Sequence, residues 1–326
     1  MNVPIWVWAL SVGLILAALL VDLFVFHRDA HEVTMREATI SSGIWVSVGI
    51  AFGVGVWAIA GGQAGGEYFA GYLIEKSLAV DNIFVFAILL SYFAVPAKYQ
   101  HRVLFWGVVG ALIFRAIFIA AGAALLKQFH WTIYIFGALL LLTGIKLLRQ
   151  KDTHVDPAKN PAVKLLRRLI PVSDQYDGQK FFTRRNGIRM ATPMLAVLLA
   201  IETTDVIFAV DSIPAIFAVT DEPYIVFTSN AFAILGLRAM YFMLAGAIHR
   251  FTYLKVGLAA VLAFVGIKMM VVDLYKIPIA VSLAVIASII GISIWISLRA
   301  TRQIDFDLDV DDDGDRSTTS LTKTGA

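Results

Sequence analysis

Six carboxylates and five basic side chains interrupt otherwise apolar stretches of this chain. The acids are Asp22, Glu75, Asp81, Glu202, Asp205 and Asp211, and the bases are Lys76, Arg115, Lys146, Arg238 and Lys268. Five of the acids fall in two segments, Glu75-Lys-Ser-Leu-Ala-Val-Asp81-Asn82 and Glu202-Thr-Thr-Asp205-Val-Ile-Phe-Ala-Val-Asp211-Ser212. Asn82, Ser212, Thr203 and Thr204 add neutral oxygens beside them. There is no cysteine, and His27, His31, His101, His130, His154 and His249 fall in loops or at the ends of apolar runs. Met243, Met269 and Met270 read as packing. An all-oxygen set suits a hard divalent cation such as Mn²⁺, Mg²⁺ or Ca²⁺ rather than Cu⁺ or Zn²⁺. Clustered acids in a low dielectric cannot all stay ionised, so some should bind protons when the metal leaves. That is a physical route to metal/proton antiport. The ion is then cargo, and no tightly bound cofactor is expected.

Spacing constrains how these residues work together. Residues six apart on an α-helix sit about 120° apart around the axis and about 9 Å along it. Glu75 and Asp81 therefore do not share a narrow face, and neither do Asp205 and Asp211. Glu202 and Asp205, three apart, do. One site using all five acids needs both segments, or local unwinding such as Pro214 allows by removing a hydrogen bond to Val210. Two sites in series are the alternative. The blander reading makes Glu75 and Asp81 structural partners of Arg115, Lys146, Arg238 or Lys268, since buried membrane charges usually pair. Those four bases read mainly as counter-charges. Lys76 either snorkels or pairs with a nearby acid, and Asp22 reads as an interface residue.

The elements that must position these groups are membrane helices. Of 326 residues, 59% are apolar and 16% charged, with mean hydropathy +0.78. An ordinary soluble domain carries roughly 25% charge, so a soluble globular protein is excluded. The missing cysteine excludes a disulfide scaffold, thiolate zinc sites, iron–sulfur clusters and cysteine nucleophiles. Apolar runs at 4–26, 42–60, 68–94, 103–126, 131–149, 191–217, 226–248, 254–272 and 277–298 predict nine spans. The first lacks a basic n-region and a cleavage site and reads as retained. Long continuous runs argue against a β-barrel. Ten Lys and Arg lie from Arg149 to Arg189, whereas 61–66 and 218–225 have none. Basic residues mark cytoplasmic loops, so the N-terminus is expected outside and the C-terminus inside. The net charge of +3 is read this way, and no nucleic-acid partner is expected. Within the basic loop, Pro161 to Pro171 predicts a surface-lying amphipathic helix. The run FFTRR-Asn186-Gly187-IRMAT predicts a β-hairpin.

The third and sixth spans repeat one another. Both place two carboxylates six apart and end in Ala-Val-Asp, which pairs Glu75 with Asp205 and Asp81 with Asp211. The fourth and seventh share Arg115-Ala116 and Arg238-Ala239. The fifth and eighth share Gly144-Ile145-Lys146 and Gly266-Ile267-Lys268. Three matches in the same order indicate duplication. With three spans per copy, the second copy enters the membrane from the opposite side, an architecture recurrent in secondary transporters. The expected fold is an all-α polytopic membrane protein containing two inverted three-helix repeats. Its parts are peripheral spans in 1–62, a first repeat in 63–150 and the basic loop in 151–190. A second repeat in 191–273, a ninth span in 274–300 and an acidic tail in 301–326 complete it.

The two acidic segments closely resemble the signatures of the TerC family of integral membrane proteins. The TSNAFAILGLRAMYF run from Thr228 and the FFTRRNGIRMATP loop are similar to the same family. The resemblance covers residues 1–300 and is closest to its Alx-type members. It implies nine spans, an outside N-terminus, residence in the bacterial inner membrane and Mn²⁺ export. It makes Glu75, Asp81, Glu202, Asp205 and Asp211 the matching acidic positions, and it carries an association with tellurium resistance. The manganese comes from the resemblance; the residues alone give a hard divalent cation.

The expected function is therefore a secondary Mn²⁺ exporter, coupled to protons, working by alternating access and not an enzyme. Asp81 and Asp211 are read as pseudo-symmetric ligands, and Glu75 and Asp205 as ligands or proton carriers. Glu202 completes the set, with Asn82 and Ser212 as neutral ligands. The rivals are a membrane scaffold or assembly partner that docks through the basic loop, and a Ca²⁺/H⁺ antiporter of the same architecture. No Gly-x-Ser-x-Gly or His-Glu-x-x-His motif supports an intramembrane enzyme. The tail departs from the resemblance. Asp309, Asp311 and Asp313 with Gly314 match the start of a Ca²⁺ loop, but Ser320 stands where the bidentate Glu belongs. A disordered solvating tail is the plainer reading, and a weak metal-collecting segment the sharper one.

Overall fold

Proline sets many of the helix starts, because its missing N–H would go unbonded in a first turn anyway. In the computed structural model, residues 3–22, 33–149, 160–185, 187–244, 254–297 and 299 are described. The acidic tail, with Asp309, Asp311 and Asp313, lies outside them. The helices are α1 (Ile5–Val21), α2 (Met35–Tyr92), α3 (Ala97–Gln128), α4 (Thr132–Arg149), α5 (Pro161–Leu169), α6 (Pro193–Phe217), α7 (Pro223–Leu235), α8 (Leu237–Leu244) and α9 (Leu254–Met270). α10 (Ile279–Ser297) follows. Between α5 and α6 lie two strands, β1 (Phe182–Arg185) and β2 (Ile188–Ala191). α5, α6 and α7 carry proline in their first turns. α5 is also capped by Asn160, whose side-chain oxygen accepts from Ala162 N at 3.0 Å.

α2 is a helical hairpin rather than a rod. A straight 58-residue helix would run about 87 Å, nearly three hydrocarbon thicknesses. Gly61 breaks it with φ 90° and ψ 172°, a conformation open essentially to glycine. The two limbs then pack back to back. The Tyr68 hydroxyl donates to the Gly49 carbonyl at 2.9 Å, and a Cβ on Gly53 would sit 2.6 Å from the rings of Tyr68 and Phe69.

Five helices are long and apolar enough to cross a membrane: α2, α3, α4, α6 and α10. Taking α7 and α8, bent by 40°, as one span makes six, and α1 is a shorter apolar helix. Outward faces are apolar, with Ile59 91% and Leu142 66% exposed, while Glu75, Arg115 and Asp205 are enclosed. This inversion of the soluble pattern, on helices of this length, makes the chain a multi-pass integral membrane protein. α6 stays helical through Pro214, so the local unwinding that this proline could allow is not used. The break among these helices falls instead at Gly236, between α7 and α8.

Small residues let the helices approach closely. A Cβ on Gly266 would lie 2.8 Å from the Gly137 carbonyl oxygen, and one on Gly144 3.0 Å from that of Ala259. α4 and α9 are therefore antiparallel and nearly touch backbone to backbone. α3 and α6 run in the same direction, with Gly107 facing Ile201 and Gly122 facing Phe217.

The connection between α4 and α6 is folded. α5 buries Val163 and Leu166 against α6 and exposes Leu165 and Leu169. β1 and β2 pair antiparallel, with Phe182 opposite Ala191 and Arg185 opposite Ile188, and Gly187 takes φ 81°. The Tyr176 hydroxyl donates to the Phe93 carbonyl at 2.6 Å, tying this connection to the end of α2. Burial pushes that phenol up to about 12.

Candidate functional site

The centre of the molecule is organised by Arg115, 1% exposed. α3 delivers its guanidinium between the second limb of α2 and α6. Nε donates to Asp205 Oδ2 at 3.2 Å and Nη2 to Asp205 Oδ1 at 3.0 Å, a two-pronged grip on one carboxylate. Nη1 donates to Glu75 Oε1 and to Ser212 Oγ at 3.3 Å. Glu75 and Asp205 are themselves 0% and 1% exposed. Asn230 of α7 donates Nδ2 to Glu75 Oε2 at 3.0 Å, and Asn82 donates to Asp205 Oδ1 at 3.5 Å. Bidentate, charge-assisted bonds of this kind are the strong ones. Within hydrogen-bond reach, two carboxylates face one guanidinium, a formal excess of one negative charge, with the Lys76 ammonium as the next charged neighbour of Glu75.

The remaining predicted ligands stand apart. Asp211, six residues beyond Asp205, turns toward α4, where Thr143 Oγ1 donates to it at 2.9 Å and Lys146 is its electrostatic neighbour. Asp81 has Lys255 as its charged neighbour. Glu202 lies one turn before Asp205 against Gly110 of α3, whose Cβ, if it had one, would overlap the Glu202 carboxylate. Glu202 Oε2 is buried with no hydrogen-bond partner among the described residues. Thus Glu75, Asn82, Asp205 and Ser212 come together, while Asp81, Glu202 and Asp211 surround them. Among the described residues no three acidic or imidazole groups gather as a ready metal cage. The 120° offset between residues six apart accounts for the divergence of Asp81 from Glu75 and of Asp211 from Asp205, while Glu202 stays on the Asp205 face one turn away.

Several expected partners are different. Arg238 pairs not with a repeat acid but with Asp22 of the first span, Nη2 to Oδ1 at 2.5 Å. Asp22 is 5% exposed, so it is an enclosed counter-ion rather than an interface residue. Lys76 turns inward, with Glu75 as its charged neighbour. Its Nζ donates to the Ala233 carbonyl at 2.9 Å, one of the α7 C-terminal oxygens that have no partner within the helix. A cation there also complements the negative end of the α7 dipole. Gly236 is required beside it, because a Cβ would meet Trp45 at 2.9 Å and Lys76 Nζ at 3.3 Å. Lys268 has Glu67 and Asp221 as charged neighbours. Thr203 and Thr204 donate to their own helix, at Leu199 O (2.7 Å) and Ala200 O (2.8 Å).

Asn230 and Thr143 escaped the sequence reading. Both are uncharged polar residues within apolar runs. Nothing separates Asn230 from its neighbours Thr228 and Ser229, whose hydroxyls bond the backbone of their own helix.

Residues 60–304 match the family described as "Integral membrane protein TerC family". An uncharacterized membrane protein of Myxococcus xanthus is 54% identical over 295 residues, covering 90% of this chain and 92% of its own. A protein of Escherichia coli (strain K12) named "Putative membrane-bound redox modulator Alx" is 48% identical over 289 residues, covering 85% and 90%. An uncharacterized membrane protein of Rickettsia bellii is 38% identical over 298 residues, covering 91% and 99%. No solved structure matches.

Proposed function

This chain belongs to the TerC family of integral membrane proteins, and from that premise we propose that it is a secondary transporter for a hard divalent cation, manganese(II). Its ion site is the enclosed carboxylate pair Glu75 and Asp205, with Asn82, Ser212 and Asn230 supplying neutral oxygens. The observation that carries this reading is the excess of carboxylate over guanidinium in a fully buried, all-oxygen cluster between helices. Such a charge is costly inside a membrane unless something positive arrives to balance it. Oxygen donors favour Mn²⁺, Mg²⁺ or Ca²⁺. Asp81, Glu202 and Asp211 line the approaches, and protons taken up by these acids balance the charge when the ion leaves.

The reading places nine spans in the membrane: α1, the two limbs of α2, α3, α4, α6, α7 with α8, α9 and α10. Helix senses support it. The α2 limbs oppose one another, α3 and α6 agree, and α4 and α9 oppose, as nine alternating spans require. The inverted repeat has support of the same kind. The alignment that carries Gly144 to Gly266 carries Gly137 to Ala259, so it exchanges the contacts Gly137–Gly266 and Gly144–Ala259. The alignment that carries Glu75 to Asp205 carries Asn82 to Ser212, and Arg115 joins both halves. Loop charges support an outside N-terminus and a cytoplasmic α4–α6 connection; the bacterial inner membrane and the export direction rest on the resemblance to Alx-type members.

One relative's name speaks of redox modulation. Without cysteine this chain cannot do thiol–disulfide chemistry, so a redox effect here follows from the ions it moves. The test is purified full-length protein in liposomes, with Mn²⁺ flux measured against an imposed pH gradient and Mg²⁺ or Ca²⁺ as competitors. The expected result is Mn²⁺ flux driven by the gradient and lost in Asp205→Asn. Flux no greater than in protein-free vesicles would sink the reading.

A further inference from the structure

Arg115 holds the same oxygens that an ion would need: both of Asp205, one of Glu75 and the Ser212 hydroxyl. A guanidinium keeps its proton under all ordinary conditions, so it cannot simply be neutralised in place. A divalent ion bonding oxygens at about 2.0–2.2 Å and a guanidinium gripping the same carboxylates exclude one another. Arg115 must therefore move when the site fills, and Glu202 offers it a destination. Glu202 shares a helix face with Asp205, one turn away, and its Oε2 is buried without a partner among the described residues. It lies against Gly110, on the N-terminal side of Arg115 along α3. Helical side chains lean that way. Glycine at position 110 leaves the space open, since any Cβ there would overlap the carboxylate.

We propose that Arg115 is a tethered counter-cation that occupies the carboxylate pair while the site is empty and moves one helical turn to Glu202 when a divalent ion takes its place. This rests on the carboxylate pair being the ion site. Counted over the groups that exchange partners, three carboxylates (Glu75, Glu202, Asp205) against one guanidinium leave two formal negative charges, matching one divalent cation, while Lys76 keeps its bond to the Ala233 carbonyl. The role is that of a positioning residue. Arg115 lets the empty carrier return across its cycle without leaving the Glu75–Asp205 pair bare, and it sets the affinity by competition.

The experiment uses purified full-length protein in liposomes with Mn²⁺ as the probe. Arg115→Gln is expected to tighten Mn²⁺ binding by about tenfold or more, because the competing conformation is gone. Mn²⁺/Mn²⁺ exchange is expected to persist while net flux falls, because only the empty return needs the guanidinium. Glu202→Gln is expected to weaken Mn²⁺ binding about tenfold when Arg115 is present and to change nothing in the Arg115→Gln background. Weaker binding in Arg115→Gln, or an equal effect of Glu202→Gln in both backgrounds, overturns the proposal. If Arg115→Gln fails to fold, Arg115→Lys carries the test. It lacks the two-pronged grip and must bind Mn²⁺ more tightly than wild type, and unchanged or weaker binding refutes the role. Wild-type protein without Mn²⁺ flux defeats the transport reading itself. Wild-type flux with any of the contrary results defeats the Arg115 role alone.

Discussion

Charge balance at the centre predicts an unusual ranking of stabilities. Removing Arg115 leaves Glu75 and Asp205 facing each other without a counter-charge, both essentially unexposed. Breaking a buried pair by deleting one partner costs about 3–5 kcal/mol. Removing Asp205 has a milder consequence. Arg115 keeps Glu75 and Ser212, the cluster becomes neutral, and the loss approaches that of a charged hydrogen bond, about 1.5–3 kcal/mol. Arg115→Gln should therefore destabilise more than Asp205→Asn or Glu75→Gln. The double variant Arg115→Gln/Asp205→Asn should be more stable than Arg115→Gln alone, because it removes half of the stranded charge. Residues in one network show coupling of about 0.5–3 kcal/mol, and the upper part of that range is expected here. Thermal unfolding in detergent, followed by tryptophan fluorescence, reads these differences as shifts of several degrees. Additive losses across the cycle, or Asp205→Asn falling below Arg115→Gln, would refute the charge argument.

Two further outcomes follow from the packing and from the loops. Gly266→Ala puts a methyl 2.8 Å from the Gly137 carbonyl oxygen, so α4 and α9 must separate, costing about 1–3 kcal/mol. Gly291→Ala meets nothing within 4 Å and should stabilise α10 by about 0.5–1 kcal/mol; equal unfolding temperatures for the two variants would contradict the close approach. Beyond the spans, Tyr134 donates to Asp273 Oδ2 at 2.5 Å and His130 Nε2 lies 2.9 Å from the same oxygen. The Tyr134 hydroxyl first, and then His130, hold the Asp273 carboxyl below its usual range. A lowered carboxyl lends stability that is present above the ordinary Asp value of about 4 and lost as pH falls through the lowered one. Trp131 fluorescence should therefore change only in acid below that value and stay flat in Asp273→Asn; the same acid transition in the variant would rule out this clasp.

The sequence was most legible where a physical period or a breaker residue acts locally. The long apolar helices, the β1–β2 hairpin and the amphipathic α5 all follow from local patterns. The Gly61 turn falls in the bare loop between two predicted spans. The break between α7 and α8 was not legible, because proline at 214 looked the stronger breaker. In a membrane helix a proline is tolerated when neighbours satisfy the freed carbonyl. The actual break instead needs Lys76, 157 residues away, to hold the Ala233 carbonyl. Side-chain destinations were the hardest part. Spacing along one helix shows that Glu75 and Asp81 diverge, but not which neighbouring helix each will meet.

If the two halves are copies, as proposed, their two arginines nonetheless have different fates. Sequence ranks Arg115 and Arg238 as equivalents, and symmetric logic would send both to the carboxylate pair. The grip on Asp205 and Glu75 lies where the two halves of the proposed repeat meet, and one guanidinium there already reaches both acids and Ser212. A second would add like charge to filled acceptors. Arg238 is buried all the same, so it needs an acid from outside the duplicated spans, and Asp22 at the end of α1 supplies it. The first span is thus more than peripheral packing. On the proposed duplication it breaks the symmetry of the core, leaving one arginine on the carboxylate pair and one fixed beside α1. The transport proposal needs that inequality, because two identical halves gripping one pair with two arginines would leave no oxygen for an ion.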